Sequence, residues 1–296
     1  MSSVMQAQQT TGVVLDSVEC ELTGLCNHGC SHCCTLSGPK VSHGTMGLSD
    51  WQRVIDDIAE LAIPAVQFIG GEPTLSPHLP ALVTYALDRK LGVEIYSNLA
   101  IIRPALWRLF ERKGVRLATS YYSDDPVQHD QITRTKGSHV RTRSNIIEAV
   151  RRSIPLRVGL VEVLTSQRVR EAKTELHALG VKHTKIDRVR KVGRAADPDV
   201  PTPGLDELCG RCFHHRAAIS PDGDVYGCIL SRHLLAGNVK TDGLSTVLTG
   251  DKWAQITASI PVTRNACTPD DSNDCDPAST PACAPSFPDD EEDDED

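Results

Sequence analysis

Aromatic side chains are scarce in this chain, since Trp, Tyr and Phe together make up 4% of its 296 residues. Hydrophobic residues of all kinds still reach 40%, so a core can form, and it must be packed mainly from aliphatic side chains. A chain of this length has room for one large domain and a small one.

Long apolar runs are also missing. No stretch of about 20 consecutive apolar residues occurs, which argues against a membrane-spanning helix and any membrane partner. The polar residues 1–12 lack the basic and then apolar pattern of a secretory signal, and we predict a disordered lead there. The sequence therefore predicts a cytoplasmic protein.

Net charge is absent from the body of the chain. The formal charge of −8 comes from residues 289–296, which are all acidic. Without them, the chain has 31 Asp and Glu and 31 Lys and Arg, so its formal net charge is zero. Because nucleic-acid binding usually requires an excess of basic residues, we expect no nucleic-acid partner. A dense run of like charges repels itself, and we predict a disordered acidic tail at residues 286–296.

Strand and helix patterns alternate between residues 13 and 192. Strands are predicted at residues 18–22, 65–69, 93–96, 115–120, 156–164 and 181–189, with helices at 49–62, 77–90, 104–114, 140–152 and 167–179. This alternation is typical of α/β proteins with a parallel sheet and outer helices. Ligands of such sheets gather at the carboxyl ends of the strands.

Eleven cysteines in a cytoplasmic chain indicate metal or redox chemistry rather than disulfides. Cys26, Cys30 and Cys33 follow the first predicted strand and are separated by three and two residues. Three thiolates in one loop can bind three irons of a cubane cluster, which leaves the fourth iron open. A zinc knuckle with His28 or His32 as fourth ligand is the alternative for this loop.

A glycine-rich turn follows the second predicted strand and reads Gly70-Gly71-Glu72-Pro73-Thr74. The two glycines let the backbone approach a ligand, and Pro73 fixes the turn. Glu72 offers a carboxylate to a ligand amine. Taken alone, this segment fits an ordinary strand-end turn equally well.

The cysteine loop and the glycine-rich turn together resemble the radical S-adenosylmethionine (SAM) superfamily. The resemblance implies an α/β fold with a partial (β/α)6 parallel barrel at residues 13–192. It implies that Cys26, Cys30 and Cys33 hold a [4Fe-4S] cluster whose open iron binds the amino and carboxylate groups of SAM. One electron then breaks a carbon–sulfur bond of SAM and yields a 5′-deoxyadenosyl radical, which abstracts hydrogen from a substrate.

A set of SAM contacts follows from the same resemblance. Gly70, Gly71 and Glu72 correspond to the family's amine-binding motif. His32 stands before the third cysteine, where the family usually has an aromatic residue near the adenine. Weaker matches are three polar residues at later strand ends and one arginine near the SAM carboxylate: Ser97, Asn98, Ser120 and Arg143. A solvated basic helix start explains Arg143 equally well, and the sequence identifies no catalytic acid, base or hydrogen donor.

Further cysteines lie in residues 193–285. Cys209, Cys212 and Cys228 resemble the opening of SPASM and twitch domains, which hold auxiliary iron–sulfur clusters. The resemblance implies a small C-terminal iron–sulfur domain with one auxiliary [4Fe-4S] cluster, and Cys267 as the fourth ligand. Zinc is the alternative here as well.

The end of this region departs from a full SPASM pattern. Cys267, Cys275 and Cys283 are each separated by seven residues instead of being tightly spaced. The number of auxiliary clusters is therefore open. Cys275 and Cys283 either belong to a second, incomplete cluster, donate hydrogen to a substrate radical, or have no role.

Relatives with SPASM-like extensions commonly modify peptides, and the segment at residues 129–146 resembles peptide-modifying members. The favoured function is maturation of a ribosomally made precursor peptide by crosslinking, epimerisation or oxidation. The first alternative is an epimerase or dehydrogenase that acts on a small natural product such as a sugar or aminocyclitol. An iron–sulfur electron carrier or a zinc scaffold is the non-enzyme alternative.

Two protein partners are expected. Only 25 residues precede Cys26, too few for a leader-binding winged helix, so a peptide substrate calls for either a separate leader-peptide recognition protein or direct docking on this domain. The family resemblance also implies an electron donor such as flavodoxin or ferredoxin.

Overall fold

The computed structural model describes residues 14–200, 202–208 and 210–260. Its strands are β1 (Ser17–Glu21), β2 (Ala65–Ile69), β3 (Gly92–Tyr96), β4 (Val115–Tyr121), β5 (Leu156–Glu162), β6 (His183–Arg188), β7 (Arg216–Ile219), β8 (Asp224–Tyr226) and β9 (Gly237–Asn238). Its helices are α1 (Leu48–Glu60), α2 (Leu79–Asp88), α3 (Pro104–Phe110), α4 (Pro126–Thr133), α5 (Ser138–Arg151), α6 (Val169–Ala178), α7 (Leu244–Thr249) and α8 (Asp251–Ser259). The strands form one sheet in the order β6-β5-β4-β3-β2-β1-β7-β8-β9.

Strands β1 to β6 pair with their sequence neighbours in parallel, which confirms the predicted parallel α/β architecture. Parallel neighbours require a crossover, and the helices between consecutive strands supply it. One of these helices, α4, was not predicted. Its signal is the pair Asp125-Pro126: the Asp125 side chain accepts a hydrogen bond from the Val127 N–H at 2.7 Å, and Pro126 occupies the first turn.

The outer face of the sheet packs against apolar stripes on α1, α2, α3 and α6. On α1 the stripe consists of Trp51, Val54, Ile55 and Ile58, which are all buried. The residues of β2 are all buried as well, because one face meets the helices and the other faces the interior of the barrel. The core is therefore mainly aliphatic, as the shortage of aromatic residues requires.

The inner face of the sheet is polar, and part of it, including Glu19, Gln67 and Arg157, lines the site described below. Glu19, Gln67 and Glu94 align across β1, β2 and β3. Arg157 of β5 donates two hydrogen bonds to the Glu94 carboxylate, at 2.8 and 2.6 Å. Burial raises the pKa of Glu94, but Arg157, with the Gln67 hydrogen bond and Arg116, more than offsets this effect, and the net shift is downward. The buried charge is therefore paired within the barrel.

The C-terminal region extends the same sheet on its other side. Strand β7 pairs in parallel with β1, and β8 and β9 follow in antiparallel order. The turn between β7 and β8 contains Gly223 at φ +92°, a conformation that favours glycine. The Phe213 and Trp253 rings lie 4.6 Å apart and help to pack α8 onto this part of the sheet.

None of the helices in the described residues combines the length and the apolar character that crossing a bilayer requires.

Candidate active site

A cavity of about 390 Å³ is lined by the cysteine loop, the glycine-rich turn and residues of β3 to β6. Eight residues that the sequence singled out line it together: Cys26, Cys30, His32, Cys33, Gly70, Gly71, Asn98 and Ser120. Three others, Glu72, Ser97 and Arg143, are not among the described residues that line it. Segments far apart in the chain thus meet where the parallel strands end.

The cysteine loop (residues 26–38) and the glycine-rich turn are joined at their bases by backbone hydrogen bonds. The Gly71 N–H donates to the carbonyl of Thr23 at 2.6 Å, and the Glu72 N–H donates to the carbonyl of Leu25 at 2.9 Å. A Cβ on Gly71 would lie 2.3 Å from the Leu25 carbonyl oxygen, closer than any side chain tolerates. A glycine is therefore required where the two motifs meet.

Replacing Gly71 with Ala is expected to push the turn away from the cysteine loop, because the obstructing atoms belong to the backbone and cannot rotate aside. We expect a loss of about 1–3 kcal/mol in the free energy of unfolding, together with weaker SAM binding. Urea unfolding and calorimetric SAM titration measure the two effects. Gly47→Ala is the control, because its Cβ would meet nothing closer than 3.6 Å. Equal stability of the two variants would contradict this reasoning.

The four cysteines of the loop, Cys26, Cys30, Cys33 and Cys34, are free thiols. The Cys26 sulfur accepts hydrogen bonds from the His28 N–H at 3.4 Å and from the Asn98 side-chain amide at 3.8 Å. Burial raises the pKa of Cys26 to about 12 and that of Cys30 to about 11. Binding of a metal to these thiols would therefore release protons.

This loop offers the donors that an iron–sulfur cluster requires: three thiols on one cavity wall, with N–H groups directed at one sulfur. No three His, Cys, Asp or Glu side chains in the described part of the chain converge on a single-ion site. A cubane does not require such convergence, since each thiolate binds a different iron.

Glu72 lies behind the cavity wall and is 2% exposed. One carboxylate oxygen accepts hydrogen bonds from Thr74 N–H at 3.1 Å, Thr74 Oγ1 at 2.6 Å and Ser97 Oγ at 2.8 Å. The other oxygen accepts from Asn98 N–H at 2.7 Å. Burial raises the pKa of Glu72, and these hydrogen bonds only partly offset that shift. The hydrogen bonds of the carboxylate thus link the glycine-rich turn to the end of β3. Gly70 and Gly71 of this turn line the cavity.

Arg143 lies elsewhere. It is on α5, where its Nε donates to Glu175 of α6 at 2.6 Å. The Glu175 carboxylate also accepts a hydrogen bond from the Tyr121 hydroxyl at 2.9 Å. The structure therefore does not bring Arg143 to the cavity, because its side chain bridges two outer helices.

Four histidines line the cavity, His28, His32, His129 and His183, and only His32 was proposed from the sequence as a SAM contact. The His32 ring makes an edge contact with Tyr122, with centroids 5.1 Å apart. Burial lowers the pKa of His28 and of His32 to about 4 and that of His129 to about 3, so all three are neutral at pH 7. One ring nitrogen of each is buried without a partner in the described residues. These nitrogens can serve a bound ligand.

His129 should make stability dependent on pH. It is 1% exposed and packs against Tyr121, Tyr122 and His139, with Asp130 and His28 nearby. As pH falls below about 6.5 the unfolded chain takes up a proton on this ring, whereas the folded protein does not until about pH 3. Stability is therefore lost on acidification.

The test is urea unfolding at about pH 7 and about pH 5. Relative to His129→Gln, the unmodified protein should lose about 2 kcal/mol more of its free energy of unfolding between these values. Parallel pH dependence of the two proteins would show that His129 ionises freely in the fold.

The predicted auxiliary ligands lie partly outside the described residues. Cys209, Cys267, Cys275 and Cys283 are among those not described. Cys212 and Cys228 do lie together, with Cα atoms 5.2 Å apart, but their sulfurs are joined in a disulfide. Iron ligation requires thiolates, so the two cysteines have to be reduced before they serve as ligands.

The comparisons with known sequences agree with this geometry. The sequence profile of the radical SAM superfamily matches residues 20–173, more than half of the chain. The SPASM iron–sulfur cluster-binding domain matches residues 209–276. Mycofactocin maturase MftC of Mycobacterium ulcerans is 29% identical over 271 residues, which cover 75% of this chain and 71% of the relative. PqqA peptide cyclase of Xanthomonas oryzae is 29% identical over 150 residues, which cover 49% of this chain and 39% of the relative.

Solved structures show the same fold. Streptococcus suis SuiB bound to precursor peptide SuiA superposes with a TM-score of 0.69 at 14% identity, over 83% of this chain and 67% of SuiB. The two domain matches imply SAM and iron–sulfur clusters as cofactors. The chain therefore belongs to the radical SAM superfamily and is a radical SAM enzyme with a SPASM domain.

Proposed function

We propose that this enzyme modifies a ribosomally made precursor peptide by a reaction that begins with hydrogen abstraction. The observation that carries the chemistry is the meeting of three free thiols and the glycine-rich turn at one cavity. The substrate class is supported by the relatives: one that matches three quarters of this chain is a maturase, and another is a peptide cyclase.

Cys26, Cys30 and Cys33 are proposed to hold the catalytic [4Fe-4S] cluster. When bound, the cluster supplies the electron and the open coordination site for reductive cleavage of SAM. The N–H groups of His28 and Asn98 that reach the Cys26 sulfur would stabilise negative charge on that ligand.

The SAM contacts are assigned to residues that line the cavity. Gly70 and Gly71, which line the cavity, are assigned to the amino group of SAM, with Asn98 and Ser120 as further polar contacts. His32, held against Tyr122, is assigned to the adenine. Glu72 acts indirectly, because its carboxylate orients the glycine-rich turn.

The auxiliary [4Fe-4S] cluster is assigned to Cys209, Cys212, Cys228 and Cys267. Cys228 lines the same cavity as the cysteine loop, so an auxiliary cluster bound there would lie beside the substrate space. Such a cluster could accept the electron released when the net reaction is an oxidation.

The substrate proposal is tested with short peptides encoded beside the gene. The reconstituted enzyme is incubated anaerobically with SAM, a reductant and each peptide, and the product is analysed by mass spectrometry and for D-residues. We expect loss of two hydrogens for a crosslink or oxidation, or a D-residue with unchanged mass for epimerisation. The variant with Cys26, Cys30 and Cys33 replaced by Ala is the control. Deoxyadenosine formed with a sugar or aminocyclitol, and with none of the peptides, would contradict a peptide substrate.

A further inference from the structure

A loop far along the chain holds the cysteine loop in place. The Arg194 N–H donates to the carbonyl of Cys33 at 3.0 Å. Its Nε donates to the carbonyl of Cys30 at 2.7 Å, and its Nη2 donates to the carbonyl of Ser37 at 2.6 Å. One residue thus satisfies three backbone oxygens of the loop that contains the three proposed cluster ligands, and two of these oxygens belong to the ligands Cys30 and Cys33.

The close approach of these two segments is built into the backbone. Gly193 has φ +59°, and a Cβ there would lie 2.3 Å from the Cys33 carbonyl oxygen and 2.6 Å from that of Cys34. Only glycine fits at this distance. The contact made by Arg194 is therefore a fixed part of the fold rather than a chance position of a long side chain.

Arg194 brings a positive charge to the cavity wall beside the cysteines. Arg157 and Arg188, which also line the cavity, are paired with Glu94 and Glu207. Arg194 has no carboxylate partner among the described residues, and it donates to carbonyl oxygens instead.

We infer that Arg194 is a positioning residue for the catalytic cluster, which fixes the cysteine loop and favours the reduced state of the cluster. This inference rests on the proposed function, in which Cys30 and Cys33 are cluster ligands. Reduction adds one negative charge to the cluster. A cation fixed nearby stabilises that charge and raises the reduction potential.

The test uses the full chain with reconstituted clusters. Arg194→Gln removes the charge, Arg194→Lys keeps the charge but lacks the planar fork that reaches two carbonyls, and Lys191→Gln removes an exposed charge three residues away. Redox titration followed by electron paramagnetic resonance reports the reduced fraction, and the signal that changes on SAM addition identifies the catalytic cluster. Iron release to a chelator reports how firmly the loop is held.

For Arg194→Gln we expect the ratio of reduced to oxidised cluster, at the wild-type midpoint, to fall about tenfold, which corresponds to ~59 mV. Arg194→Lys should keep the wild-type potential and release iron faster, and Lys191→Gln should match the wild type in both respects. If the Arg194→Gln variant assembles no cluster, the inference is tested by the rate of iron release from the Arg194→Lys variant.

Wild-type potential and wild-type iron release in the Arg194 variants that load the cluster would overturn the inference. That result differs from failure of the proposed function, which would appear as a wild-type protein that neither assembles the cluster nor cleaves SAM.

Discussion

Replacing Cys26, Cys30 and Cys33 together with Ala is expected to reduce SAM cleavage to the level of a protein-free blank. The three sulfurs belong to free thiols that line the cavity together with the glycine-rich turn, so their loss removes the proposed ligands of the catalytic cluster. We also expect the reconstituted protein to lose about four iron atoms per chain. The auxiliary cluster should remain, because its assigned cysteines are elsewhere in the sequence.

Iron analysis and chromatography of 5′-deoxyadenosine measure the two effects. Cys20→Ala is the matched control, because Cys20 is a free thiol that is completely buried in β1 and does not line the cavity. Its loss leaves a small gap in the core and should change neither iron content nor SAM cleavage. Deoxyadenosine production by the triple variant would refute the assignment of these three ligands.

Replacing Glu72 with Gln is expected to weaken both folding and SAM binding. The carboxylate accepts four hydrogen bonds from Thr74, Ser97 and Asn98, and an amide would direct N–H groups at one or more of these donors. A buried donor left unsatisfied costs about 1–3 kcal/mol. The glycine-rich turn should then lose its fixed position beside the cysteine loop, and SAM affinity should fall with it.

This variant also separates two roles for Glu72. The sequence suggested direct contact between its carboxylate and the SAM amine, whereas the hydrogen bonds indicate that it positions the turn. Urea unfolding and SAM titration are measured together, with Glu60→Gln on the exposed end of α1 as the control. Loss of SAM affinity with unchanged stability would favour direct contact and contradict the positioning role.

The elements and motifs that depend on local pattern could be predicted from the sequence. The alternation of strands and helices predicted the parallel sheet, and β2 was placed at its observed bounds because an apolar run ends at Gly70. Helix α4 was missed because its sequence has no clear apolar stripe, although Asp125 and Pro126 are typical of the start of a helix. The spacing of the cysteines and the glycine-rich turn together identified the family, since both motifs are short and can be read directly from the sequence.

Features that depend on contacts between distant segments could not be predicted. Strand β7 joins the sheet beside β1, a pairing that no local pattern in residues 216–219 indicates. Arg194 contacts Cys30 of the cysteine loop although 164 residues separate the two in sequence. The sequence alone does not show that Arg194 contacts this loop whereas Arg143 pairs with Glu175. The orientation of a side chain at a strand end is decided by its neighbours in three dimensions, which is why the hydrogen-bond partners of Glu72 were not foreseen.

Anaerobic reconstitution with iron and sulfide, followed by dithionite and SAM, tests the central claim most directly. Iron per chain and 5′-deoxyadenosine are measured on the same sample. We predict about eight irons per chain and formation of deoxyadenosine, as one catalytic and one auxiliary cluster require. A protein that binds zinc instead and forms no deoxyadenosine would contradict the assignment of a catalytic cluster to Cys26, Cys30 and Cys33.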